Sequence, residues 1–206
     1  MRHRNYEVEH LVEPRYNIAP TQNVAVVVQD EGKKLTVFRW GLIPSWAKDT
    51  SIGNKMINAR SETLLEKPSF KAAFKKRRCL ILADGFYEWK KTGQEKLPMY
   101  IYLKNEKPFA FAGIWETWQS PDGSTMHSCA IITTAPNELM IPIHDRMPAI
   151  LSKAHIDIWL DTSRVDEKIL LNLLNPYPSE EMSVYQVSKI VNSPQNDIPA
   201  CIDPIN

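Results

Sequence analysis

Apolar and polar positions alternate in short runs along most of this chain, and the runs predict strands that follow one another. Val24–Val28 and Leu35–Trp40 bracket Asp30-Glu31-Gly32-Lys33, a pattern that predicts a β-hairpin. Gly41-Leu42-Ile43-Pro44-Ser45-Trp46 leaves it as a loop. Further strands are expected at Cys79–Ala83, Phe86–Lys90, Met99–Lys104, Phe109–Trp118 and His127–Thr134, with Pro121-Asp122-Gly123-Ser124 as the turn between the last two. A helix can begin at Pro68, with Phe70, Ala73 and Phe74 as its apolar stripe. Two more are expected late in the chain. Lys153–Leu160 has Ser152 as its N-cap, and Glu167–Leu174 has Asp166 as N-cap and Leu170, Leu171 and Leu174 on its buried side. Met182–Val187 reads as a last strand, and a Pro- and Asn-containing tail begins at Asn192. This order predicts a β-rich α+β fold with mostly antiparallel pairing.

A chain of 206 residues can bury one sizeable core, and no linker, repeat or low-complexity segment divides it, so residues 1–206 are expected to form one domain. Fifteen prolines against seven glycines predict stiff, ordered connections. The net charge of +1 conceals an asymmetry. From Arg39 to Lys96 there are 13 Lys/Arg against 6 Asp/Glu, while the remainder carries 12 against 18. Positive charge gathered in this way points to an anionic partner, nucleic acid first, although solvated helix faces account for Lys71, Lys75 and Lys76. Cys79, Cys129 and Cys201 are far apart, with no C-x-x-C pair, which argues against structural zinc and against a disulfide framework. The first residues lack the apolar run of a signal peptide, and no stretch approaches membrane-spanning length. A cytoplasmic protein is expected.

Three short segments gather polar residues that a core does not require: Asn58-Ala59-Arg60-Ser61-Glu62, Gly85-Phe86-Tyr87-Glu88-Trp89 and His144-Asp145-Arg146-Met147-Pro148. If a strand follows the Asp84-Gly85 turn, Phe86 and Glu88 share one face while Tyr87 and Trp89 share the other. A carboxylate among aromatics in a partly dry site has a raised pKa, which suits proton transfer near neutrality. Histidine is the usual acid–base group at that pH, and the forked donors of arginine suit a phosphate. Asn58 can both donate and accept. Each also has an ordinary use: Glu88 on a solvated edge strand, Asn58 and Arg60 flanking a helix start, His144 as a satisfied half-buried histidine.

Together with Arg15-Tyr16-Asn17-Ile18-Ala19-Pro20-Thr21, Trp40-Gly41-Leu42-Ile43-Pro44-Ser45-Trp46-Ala47, Ala130–Asn137 and Val191-Asn192-Ser193, these segments resemble, in order and wording, the SOS response-associated peptidase (SRAP) family. The resemblance runs from Arg15 essentially to the C-terminus. It implies an abasic-site protein that binds single-stranded DNA and traps the lesion covalently in the DNA-damage response. In the family a cysteine at position two, exposed by loss of the initiator Met, supplies an amine that forms a Schiff base with the ring-opened sugar and a thiol that closes a thiazolidine. The resemblance assigns catalytic roles to Asn58, Glu88 and His144, phosphate contacts to Arg60 and Arg146, and a base-stacking face to Trp46. It implies barrel-like sheets flanked by helices, requires no metal or organic cofactor, and makes single-stranded DNA with an abasic site the partner, with no membrane; it names no protein partner, and a monomer is expected.

The family opens Met-Cys-Gly-Arg with a longer lead into the Arg-Tyr-Asn block, whereas residue two here is Arg2 and the first cysteine is Cys79. The expectation is an N-terminally shortened domain that keeps Asn58, Glu88 and His144 but does not form the stable adduct. Three origins remain open: a start that lies upstream, a copy that binds without trapping, or a Met1 α-amine that forms a reversible Schiff base as a weak lyase. The alternatives in other classes are a non-catalytic single-strand-binding module and a peptidase or hydrolase.

Overall fold

In the computed structural model, which describes residues 13–163 and 166–205, the first hairpin forms as its alternation requires. Strands β1 (Asn23–Gln29) and β2 (Lys33–Trp40) pair from Asn23↔Arg39 to Gln29↔Lys33, and Val24, Val26 and Val28 all turn to the buried side. In chain order there follow β3 (Asn58–Arg60), α1 (Pro68–Lys76), β4 (Arg78–Ala83), β5 (Gly85–Thr92), β6 (Glu95–Leu103), β7 (Phe109–Gln119), β8 (Thr125–Thr134), β9 (Met147–Pro148) and β10 (Ile150–Leu151). The last elements are α2 (Ile156–Leu160), α3 (Glu167–Asn172) and β11 (Met182–Gln186).

Five strands close into a barrel in the order β7–β4–β1–β2–β8, with β8 returning to β7. Every pair is antiparallel except β2 with β8, which run parallel through Arg39↔Ser128 and Trp40↔Cys129. Closure leaves these strands no free edge. Val26, Phe38, Cys79, Ile81, Phe111, Cys129 and Ile131 belong to one apolar cluster. Their strand neighbours Leu80, Ala112, Ala130 and Ile132 belong to a second, shared with Phe70 and Phe74 of α1, Trp159 of α2 and Leu170 of α3. Both faces of β4, β7 and β8 are thus buried over much of their length, which explains their near-continuous apolar runs.

The chain leaves the barrel at Asp84-Gly85 and enters a separate antiparallel sheet ordered β11–β6–β5. Gly85 is required by crowding, not by turn handedness: a Cβ there would stand 2.2 Å from the Tyr100 ring. The tail packs on this sheet. Tyr185 donates to the Ile202 carbonyl at 2.7 Å, and the Tyr87 hydroxyl, which donates to the Tyr16 carbonyl at 2.6 Å, lies 3.3 Å from the Cys201 carbonyl.

The antiparallel, barrel-like arrangement with flanking helices matches the expectation, and three local expectations change. Asn58–Arg60 is a short strand running parallel to β8, whose backbone groups find partners along Ile131–Thr133, and Arg60 leads directly into a 3-10 turn over Ser61–Thr63 without capping it through its side chain. Lys153–Leu160 divides into a 3-10 turn over Lys153–His155 and the short α2, and the Ser152 side chain caps neither. Asp166 does cap α3, accepting from the Lys168 and Ile169 amides. Among the described residues no helix is long and apolar enough to cross a membrane.

Candidate functional site

Glu88 lies at the centre of β5, opposite Met99 of β6. Strand alternation puts Phe86 on the same face, and its ring packs edge-on against Phe111 with centroids 5.8 Å apart. Glu88 therefore faces the barrel mouth, at the edge of an aromatic contact, with 23% of its side chain exposed. Burial raises its pKa above the usual carboxylate value; the His144 imidazole and the Trp89 backbone N–H oppose the rise, and Asp145 adds to it. Trp89, on the opposite face, donates its indole N–H to Asn192 Oδ1 at 2.8 Å.

His144 reaches Glu88 from the segment between β8 and β9. Met140, Ile143 and Met147 are buried anchors of that segment, so His144 and Asp145 are left at its surface. The His144 amide donates to the Met140 carbonyl at 2.9 Å, closing a helical turn. His144 Nδ1 lies 3.1 Å from the Arg146 backbone N–H and 3.2 Å from the Arg146 carbonyl, so the ring finds a backbone partner there in either tautomer. Its Nε2 lies 4.0 Å from Glu88 Oε2, and Asp145 Oδ1 lies 3.2 Å from Nδ1. A carboxyl with a raised pKa and an imidazole with an outward Nε2 make an acid–base pair at one point of the surface.

Asn58 and Arg60 share the exposed face of β3 while Ala59 between them is buried. Both line the same cleft as Glu88 and His144, a cavity of about 1380 Å³ that reaches from the Arg15–Asn17 segment to Arg146. Among the described residues no carboxylate pairs with the Arg60 guanidinium. Arg146, expected to hold a phosphate, is instead engaged within the protein. Its fork meets Glu62 Oε1 and Oε2 at 2.7 and 2.9 Å, and its Nη2 also donates to the Thr133 carbonyl at 2.6 Å. The same pairing holds the Glu62 carboxyl below its usual pKa. Arg146 thus ties the His144 turn to β8 and to the segment after β3. Trp46 is 63% exposed but stands apart from the cleft lining.

Glu62 and Asn192 belong to motifs the sequence displays, but neither carries a signal for its partner, since each meets it only across the fold. The described cysteines are all buried, and burial pushes the Cys79 and Cys129 thiols well up. Met1 and Arg2 lie outside the described residues. Among the described residues no group of three or more His, Cys, Asp or Glu side chains converges as a metal site would need.

Comparison with known proteins finds relatives of this chain. A family model described as SOS response associated peptidase (SRAP) matches residues 2–194. The abasic site processing protein YoqW of Bacillus subtilis is 51% identical over 192 residues, spanning 92% of this chain and 86% of its own length. The abasic site processing protein HMCES of Xenopus tropicalis is 37% identical over 222 residues, spanning 92% of this chain and 66% of that protein. An X-ray structure of a protein from Bacteroides thetaiotaomicron superposes with a TM-score of 0.82 at 33% identity, over 90% of this chain and 82% of that one.

Proposed function

The chain belongs to the SOS response associated peptidase family, and on that premise we propose that it processes abasic sites in single-stranded DNA. The observation that carries this reading is the Glu88–His144 pair, 4.0 Å apart at a cleft that Asn58 and Arg60 also line. An abasic sugar must open its ring, accept an amine at the aldehyde carbon and lose water. Each event moves a proton at or next to one carbon. Glu88, its pKa raised by burial, protonates the departing oxygen, and His144 Nε2 relays protons at the same carbon; groups of this kind contribute about 10²–10⁴-fold. Asn58 orients the amine or the sugar hydroxyls, and Arg60 holds a flanking phosphate.

In a chain that begins Met-Cys-Gly, the cysteine amine forms the imine with release of water. The thiol then adds across the C=N bond, its sulfur to carbon and its proton to nitrogen, and closes a thiazolidine. The described thiols are buried. Their burial supports a second reading: a single-strand-binding module that recognises the lesion without a stable bond. Peptide hydrolysis ranks below both, since among the described residues no serine, threonine or cysteine hydrogen-bonds His144.

The test uses an abasic single strand, an intact strand, and a version of the protein starting Met-Cys-Gly. The reading expects a heat-stable shifted band with the abasic strand only, reduced at least about 100-fold in rate by Glu88→Gln or His144→Ala. Binding without a covalent bond should weaken on Arg60→Ala, with a salt dependence shallower by about 0.7 in log–log slope. Absence of any stable band from the Met-Cys-Gly version would sink the covalent reading. Equal affinity of the written chain for intact and abasic strands would leave a general single-strand binder.

A further inference from the structure

Beside the main cleft lies a second groove of about 550 Å³, lined by Glu88, Trp89, Lys91, Lys96, His144 and Asn192. Glu88, Trp89, His144 and Asn192 line both, so the acid–base pair stands where the two meet. Lys91 of β5 and Lys96 of β6 are direct cross-strand partners and, by strand alternation, share the face that carries Trp89. Both are exposed, and among the described residues neither has a carboxylate within ion-pair distance. The neighbouring Glu95 is taken by Lys189 at 3.3 Å. Two like charges directly opposite one another destabilise a hairpin, and an anion between them reverses that cost.

We infer that Lys91 and Lys96 form a phosphodiester subsite that guides the DNA strand on one side of the abasic sugar away from Glu88 and His144. The assignment rests on the abasic-site reading above. It adds a path: Arg60 holds the strand in the main cleft, and the lysine pair holds it after it passes the acid–base pair. The hydrogen bond from Trp89 to Asn192 fixes the floor of that exit.

The experiment compares the full chain with its Lys91→Gln/Lys96→Gln variant on two single strands, one with the abasic site at its 5′ end and one at its 3′ end. Each contact to a phosphate in single-stranded DNA contributes about 0.7 to the slope of log affinity against log salt. The variant should lose about 0.7–1.4 of slope on one strand and none on the other. Inorganic phosphate, at matched ionic strength, should compete no better than chloride. Unchanged slopes, equal losses on both strands, or selective competition by inorganic phosphate would each overturn the assignment. Failure of the abasic-site reading is distinguishable: the wild-type chain would then bind intact and abasic strands alike, while an intact strand still reports the lysine contacts.

Discussion

Replacing Asn17 by alanine should unfasten the tail from the start of the described chain. The Asn17 amide is buried, and its Nδ2 donates to the carbonyls of Val191 at 3.1 Å, Ser193 at 3.1 Å and Asn196 at 2.9 Å. Three acceptors around one nitrogen also settle which end of the amide is NH₂. The Val191 carbonyl belongs to a buried residue, and an orphaned group there costs about 1–3 kcal/mol. Ser193 and Asn196 lie nearer solvent, so each lost bond costs only about 0.5 kcal/mol once water replaces the donor. Asn17→Ala should therefore destabilise by about 2–4 kcal/mol, a melting temperature lower by about 4–15 °C for a chain of this size. Urea titration should show a lower midpoint at unchanged slope. Hydrogen exchange should quicken around Asn192, whose side chain accepts from Trp89 at the groove. Asn17→Asp should be worse than alanine, since a carboxylate would face three carbonyl oxygens. A loss below about 1 kcal/mol for alanine, or an aspartate variant more stable than alanine, would refute the reasoning.

Arg78→Met should cost about 3–5 kcal/mol in urea titration. The buried guanidinium serves the Phe74, Lys75, Trp159 and Asp161 carbonyls at 2.5–2.9 Å, where the ends of α1 and α2 converge, and lysine cannot replace that fork. Gly85→Ala should cost about 1–3 kcal/mol and lower the melting temperature, because the added methyl collides with Tyr100. Glu88→Gln should change the pH dependence of folding. Burial raises the native pKa of Glu88, so the unfolded chain releases its proton first and wild-type stability falls as pH rises from the ordinary glutamate value to the raised one. The glutamine variant should gain on wild type as pH rises above the ordinary glutamate pKa of about 4.3 in urea titrations, and a difference that stays constant with pH would contradict the shift.

Much of the site was legible because its residues fall in short, locally patterned segments. The alternation after Asp84-Gly85 placed Phe86 and Glu88 together, and β5 carries them so. His144-Asp145-Arg146 stood out as polar residues that a core does not require, and the buried Ile143 and Met147 on either side leave His144 and Asp145 at the surface. β3 escaped detection, since three residues with one buried side chain carry no period and gain strand form only from β8 alongside. The fork of Arg146 looked suited to phosphate until Glu62, 84 residues away in sequence, was seen to occupy it. Trp46 has the exposure expected of a stacking residue, but the cleft lies elsewhere.

Sequence alone determined which residues are apolar, where strands alternate, and which polar side chains stand beside them, because these depend on neighbours two to four positions apart. Its motif order also carried the family. Closure of the barrel through the parallel β2–β8 pair, the meeting of Glu88 with His144, and the opposition of Lys91 and Lys96 were decided by tertiary structure. Each depends on strand register and on packing between segments distant in the chain, or on the partner a hairpin selects. Charge and hydropathy set what such a contact can do chemically; only the folded geometry sets which contacts exist.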